Sequence, residues 1–321
     1  MSVQSSAPAD RSAQDHDLQG EEGVQAHRVR HPGTLHLIPV PIGSGDPGAE
    51  LPAPLIALTA RLDYLIAENA KTARAFLKRL PLERPLQAIE IREFNEHTPP
   101  EAIPALIAPL LAGRNAGLVS EAGCPAVADP GVQLVAAAHQ AGIPVVPHIG
   151  PSALLLTLMA SGLEGQRFAF AGYLPAQPQA RALALQRLEQ RSAREHETQL
   201  WIETPYRTQA MVATAIQTLA APTRLAIACD LALPQQWIAS KTVADWRKQM
   251  PEISDRLTVF ALLADGASRL TAQSRGGSVS ASAADRARPQ NRSPSPPRRQ
   301  SASPGAPPHS PVGKNRRRSP P

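Results

Sequence analysis

Two cysteines in 321 residues, Cys124 and Cys229, are too few and too far apart for a disulfide-stapled scaffold, and they suit a reducing compartment. Aromatic residues make up only 3% of the chain, so deep burial has to rest on Leu, Ile, Val and Ala. No stretch approaches the roughly 18 to 20 consecutive apolar residues of a membrane span, and residues 1–30 hold no apolar run that would act as a secretory signal. The expectation is a soluble, cytoplasmic protein with no membrane contact. The chain also lacks Gly-x-Gly-x-x-Gly and Gly-x-x-x-x-Gly-Lys-Ser/Thr, which argues against a dehydrogenase or a P-loop ATPase. His-Glu-x-x-His and Cys-x-x-Cys pairs are missing too, and no metal is expected.

What is present is unevenly distributed. The formal charge is +6, yet the last fifty residues alone carry ten Lys/Arg against Asp285, a local +9 that leaves −3 for the remainder. Residues 1–32 are polar and aperiodic, and residues 266–321 are rich in Ser, Pro and Arg. Neither end can bury enough apolar surface to offset its ordering entropy, so both are expected to be disordered. The basic tail has the charge to touch an RNA backbone nonspecifically, although a solubilising extension explains it as well.

Between these ends, apolar runs at 35–40, 64–68, 87–91, 116–120 and 145–149 predict strands, and the stretches 51–62, 71–80, 100–112 and 131–141 have helical spacing. This βαβ rhythm predicts an α/β fold with a mostly parallel first sheet. Further strands are predicted at 168–173, 200–203, 225–229, 237–240 and 257–263, with helices at 179–196, 206–220 and 242–249. Their short connections, with Pro234 in a turn, predict a mixed second sheet. The Leu-rich segment 151–162 predicts a buried helix between the halves. Two α/β domains, 33–150 and 151–265, follow, with a cleft between them.

Three strand-end loops are built from small residues. The first runs Pro39-Val40-Pro41-Ile42-Gly43-Ser44-Gly45 and is expected to expose backbone amides at the carboxyl edge of the sheet, where open α/β sheets bind ligands. The second is Ser120-Glu121-Ala122-Gly123-Cys124-Pro125-Ala126-Val127-Ala128-Asp129-Pro130-Gly131. In it, Asp129 before Pro130 reads as a helix N-cap, and Glu121 as either a ligand carboxylate or a solvated turn residue. The third, Ile149-Gly150-Pro151-Ser152-Ala153, starts the Leu-rich helix. Three such loops outline one cleft.

These loops, together with Phe168-Ala169-Phe170-Ala171-Gly172-Tyr173-Leu174-Pro175 and Glu203-Thr204-Pro205-Tyr206-Arg207, resemble in order and spacing the tetrapyrrole methylase superfamily, nearest its ribosomal small-subunit 2′-O-ribose methyltransferase branch. The resemblance spans about residues 33–264. It implies S-adenosylmethionine bound between the two domains of a homodimer, with rRNA or the small ribosomal subunit as partner. Carried onto this chain, the family's cofactor segments fall on Pro41 and Gly43, on Ser120, Glu121, Ala122, Gly123 and Cys124, and on Gly150, Pro151, Ser152 and Ala153. In the second domain they fall on Tyr173, Leu174, Pro175, Tyr206, Cys229 and Asp230. The branch's Glu-Asp-Thr-Arg is Glu68-Asn69-Ala70-Lys71 here, and its Ser-Asp-Ala-Gly-Thr-Pro is Ser120-Glu121-Ala122-Gly123-Cys124-Pro125.

A ribose hydroxyl needs a proton acceptor near neutral pH, and the candidates are Glu68, Glu96, His97 and Glu121, Glu68 first. Lys71 is a candidate to orient a phosphate as a point charge. The candidate catalytic set is thus Glu68, Lys71 and Glu96. Two other readings stay open: a methylase of a tetrapyrrole or another small molecule, and a non-catalytic cofactor-binding module of the same fold.

Overall fold

The computed structural model describes residues 31–265; the expected disordered extension and basic tail lie outside the described residues. The first half alternates β1 (Leu35–Leu37), α1 (Ala53–Arg61), β2 (Tyr64–Ala67), α2 (Ala70–Leu77), β3 (Glu90–Glu93), α3 (Ile103–Leu111), β4 (Ala116–Val119), α4 (Val132–Gln140) and β5 (Val145–Pro147). All five strands are parallel, in the order β3-β2-β4-β1-β5. The inner strands β2 and β4 are buried at every residue, as parallel strands covered on both faces must be. One core packs α3 and α4 on the sheet through Leu106, Leu110, Leu134 and Ala138, and another packs α1 and α2 through Leu55, Phe76 and Leu77.

The second half contains α5 (Ala153–Ser161), β6 (Phe168–Tyr173), α6 (Pro178–Glu195), β7 (Thr198–Glu203), α7 (Thr208–Thr218), β8 (Arg224–Cys229), β9 (Trp237–Thr242), α8 (Val243–Lys248) and β10 (Thr258–Leu263). The sheet order is β6-β7-β10-β8-β9; β6 runs parallel to β7 and the remaining pairs are antiparallel, which is the mixed sheet expected. Helix α5 packs on this second sheet through Leu158, against Leu200, Ala226, Val259 and Ala261. The opposite face is covered by Leu185, Met211, Val212 and Trp246.

Several boundaries differ from those read in sequence. The third strand begins at Glu90 and not at 87, because residues 86–88 form a 3-10 turn after Pro85. The seventh predicted strand starts two residues early, at Thr198. Asp129 is not a helix cap: α4 begins after Gly131, whose φ of 140° suits glycine and whose added Cβ would stand 3.0 Å from Ala126 Cβ. By contrast, Asn69 does cap α2, its side chain accepting from Lys71 N at 2.9 Å and Thr72 N at 3.4 Å.

Phe260 is fully buried and stacks on Trp201, with centroids 5.2 Å apart and planes at 7°. Phe260→Ala is expected to cost about 3–5 kcal/mol, read as a lower urea midpoint at unchanged slope.

Candidate functional site

The sheet order sets β1 between β4 and β5, so the loops leaving these three strands are neighbours at one edge. They are also tied. Val40 and Gly123 exchange two backbone hydrogen bonds of 2.9 Å each, and the Cys124 thiol donates to Pro151 O at 3.4 Å. Gly150 lies so close to Pro39 that an added Cβ would stand 2.2 Å from the proline Cβ. The three sequence-derived loops therefore do converge.

They enclose a cleft of about 250 Å³ facing the second sheet. Of the residues carried over from the family, Ala122, Gly123, Cys124, Ser152, Ala153 and Tyr173 line it. Pro41, Gly43, Ser120, Glu121, Gly150, Pro151, Leu174, Pro175, Tyr206, Cys229 and Asp230 do not reach its surface. The reasons are local. The amides of Ile42 and Gly43, expected to be exposed, are bonded by the Glu50 carboxylate at 2.8 and 3.0 Å. Leu174 and Cys229 point into the second core. Tyr206 faces solvent, at 75% exposure. Asp230 is buried, paired with Arg256 Nε at 2.6 Å and accepting from Leu257 N at 3.1 Å, so it holds the wall segment 257–259 in place from behind.

Sequence reasoning missed Ile42, Val127, Asp129, Ala228, Leu231 and Val259 as cleft walls. On β8 the alternation of faces offered a signal: Cys229 turns to the core and its neighbour Ala228 to the cleft. Non-glycine residues with positive φ cluster here as well, at Ala126, Ala128, Asp230 and Ala232. Such strain costs of order 1–3 kcal/mol each and concentrates at functional sites.

The carboxylates divide by partner. Glu203 is buried and committed to Arg207 at 2.7 Å and to Thr204 N at 2.8 Å. Glu68 stands half-buried at the end of β2; burial, then the charge of Asp129, raises its proton affinity, and the Glu121 backbone amide partly offsets this. Glu121 and Glu96 add further negative charge. Asp129 is itself raised, chiefly by burial, with a countering contribution from the Ser120 hydroxyl. That hydroxyl is buried beside it without a hydrogen bond of ordinary geometry. Burial followed by Asp129 also pushes the Tyr173 phenol up. Glu96 thus has the smallest effect among the charges acting on Glu68 and shares no hydrogen bond with it, while Lys71 is exposed and is not among those charges.

No family model matches the chain. It is 36% identical over 239 residues to "Ribosomal RNA small subunit methyltransferase I" of Xylella fastidiosa (strain Temecula1), covering 74% of this chain and 82% of that protein. It is 30% identical over 224 residues to the protein of the same description from Pasteurella multocida (strain Pm70), covering 70% and 75%. Among solved structures it is similar in fold to the methyltransferase CobJ, at a TM-score of 0.50 and 17% identity, over 72% of this chain and 94% of that one.

Because an alanine at 150 has to open the junction with Pro39, Gly150→Ala is expected to cost about 1–3 kcal/mol, read as a lower urea midpoint than that of the native chain. Gly165→Ala, where nothing lies within 4 Å of the added Cβ, is expected to leave the midpoint unchanged.

Proposed function

The chain belongs to the ribosomal RNA small subunit methyltransferase I family, a methyltransferase family, and from that premise we propose that it transfers a methyl group from S-adenosylmethionine to a ribose hydroxyl of small-subunit rRNA. The observation that carries this reading is the tied, three-loop cleft. Its walls are mainly apolar, with Ile42, Val127, Leu231 and Val259, and its few polar groups include Ser152 and Thr258. This composition fits a ligand with a flat ring system and polar ends. Ala122–Cys124, Ser152–Leu154 and Leu257–Val259 would hold it. When bound, S-adenosylmethionine supplies an electrophilic methyl group on a positively charged sulfur. The protein's task is then to align acceptor and donor at about 3–3.5 Å and to remove a proton.

Asp129 at the cleft wall, with the charges of Glu68, Glu96 and Glu121 around it, favours a neutral ribose as acceptor over a polycarboxylate macrocycle. Glu68 acts within this cluster and Glu96 at its rim. Lys71 and Arg74 on α2 and Lys78 at its C-cap are exposed at spacings of three and four, which puts them on one helical face, and they serve as phosphate contacts. A preparation that moves labelled methyl from S-adenosylmethionine to ribose in small subunits is the expected outcome. Label found only on a tetrapyrrole, or cofactor binding with no turnover in cell extract, overturns it.

A homodimer completes the reading. Ile149, at 82% exposure, and Met159, at 78%, join exposed Val146, Leu155 and Phe168 along the chain from the edge strand β5, through α5, to the edge strand β6. Large exposed apolar side chains on and between two edge strands call for a covering partner, and a second copy supplies it. Light scattering after size exclusion is expected to give twice 34.1 kDa for the native chain and 34.1 kDa for Ile149→Glu/Met159→Glu.

A further inference from the structure

Beside the donor cleft lies a second hollow of about 420 Å³, walled by Phe94, Asn95, Pro100, Val132 and Gln133, with Glu96 at its margin. Among the described residues, only Ala128 and Asp129 line both hollows. A group that takes a proton from the acceptor while the acceptor meets the methyl donor has to stand at this shared wall, and alanine has no chemistry to offer. We propose that Asp129 is the proton acceptor for the ribose hydroxyl and that the second hollow seats the acceptor nucleotide, a reading that rests on the methyltransferase assignment above.

The other carboxylates are placed differently. Glu203 lines the donor cleft but is held by Arg207 and Thr204. Glu96 lines only the second hollow and is solvent-exposed; Glu68 lines neither. Asp129 has no ion-pair partner among the described residues, and its side chain is free of the capping duty the sequence suggested. Val132, 61% exposed, and Pro100 offer apolar contact to a base face, while the Gln133 amide offers a donor and an acceptor to a base edge.

In the step itself the ribose oxygen passes its proton to an Asp129 Oδ as it bonds to the methyl carbon. The carbon–sulfur bond breaks, its electron pair remains on sulfur as a neutral thioether, and the aspartic acid proton then leaves to solvent. The groups facing Asp129 are Glu68 from the end of β2, Ser120, Glu121 and Cys124 from the loop after β4, and Tyr173 from the end of β6. Burial and the neighbouring Glu121 charge hold the Asp129 carboxyl above its ordinary value, which strengthens it as a base. The Asp129 charge in turn raises the proton affinity of Glu68.

The test uses the full chain with Asp129→Asn, Asp129→Glu and Glu68→Gln. Asp129→Asn is expected to lower the single-turnover methyl-transfer rate on small subunits at least 100-fold with the S-adenosylmethionine Kd within threefold, and to erase the acid limb of the rate–pH profile. Asp129→Glu is expected to recover part of the rate, and Glu68→Gln to keep the acid limb in place. A separate thermal readout checks the environment. A carboxyl with a raised folded pKa destabilises the fold as pH rises from the ordinary value of about 4 through the raised one. Asp129→Asn should therefore melt above the native chain at pH 7, and the gain should vanish below about pH 4. An Asp129→Asn rate within threefold of native, an unchanged acid limb, or loss of cofactor binding with turnover each overturns this proposal alone. A native enzyme that methylates a base nitrogen instead of ribose overturns the parent reading as well.

Discussion

The pair of hydrogen bonds between Val40 and Gly123 is the constraint on which the site depends. Parallel strands guarantee that the loops after β1, β4 and β5 emerge at the same edge, and the sheet order makes them neighbours, but neither fact makes them close on one another. The bridge does so for the first two. Cys124 then fastens the third through Pro151 O, and the bare Cα of Gly150 lets that loop settle on Pro39. The departure from the family's Thr to Cys at 124 keeps a side-chain donor at this junction, so the closure survives the substitution.

Around that junction, each acidic side chain has its role decided by what it touches. Glu50 fills the amides of the first loop, Asp230 anchors Arg256 and the start of the 257–259 wall, and Glu203 holds Arg207, whose guanidinium also reaches Leu174 O at 2.9 Å. These three shape the cleft, each committed to partners within the chain. Asp129, Glu68 and Glu121 lack cationic partners of that kind among the described residues, and burial keeps the first two from being ordinary carboxylates. Strain at Ala126 and Ala128 is stored in the same loop that carries Asp129, so the backbone is held in the conformation that presents it.

The architecture was legible because its causes are local. Uninterrupted apolar runs such as Tyr64–Ala67 and Ala116–Val119 mark strands buried on both faces, and the short connections after Arg224 mark antiparallel neighbours. The three loops were legible as loops from their Pro and Gly. What each residue does within them was not. Glu50 reaches back eight residues to Ile42 N, and no local pattern distinguishes such a carboxylate from a solvated one. Asp129 looks like a cap because Asp-Pro commonly opens a helix, yet the chain spends Pro130 and Gly131 on a further turn before α4 starts. The cleft's far wall, Leu257–Val259, comes from the last described strand and its approach, and its place opposite residue 124 is fixed by sheet pairing across the second half of the chain.

Placing the base at the shared wall has an electrostatic consequence. With a sulfonium donor bound, the cleft would contain its charge and the Asp129 carboxylate before transfer; afterwards the sulfur would be neutral and the carboxylate protonated, so two opposite charges would vanish in one step. Opposite charges attract more strongly where the dielectric is low, and that attraction stabilises the reactant state, which opposes the reaction. Desolvation acts in the other direction, because burying each charge among Ile42, Val127, Leu231 and Val259 is unfavourable and is relieved when both disappear. The raised proton affinity of Asp129 has burial as its largest cause, with the neighbouring Glu121 charge a smaller one, so its desolvation is part of what the transfer relieves. A more polar cleft would bind a cationic donor with less penalty, but it would forfeit the gain obtained when the charges cancel.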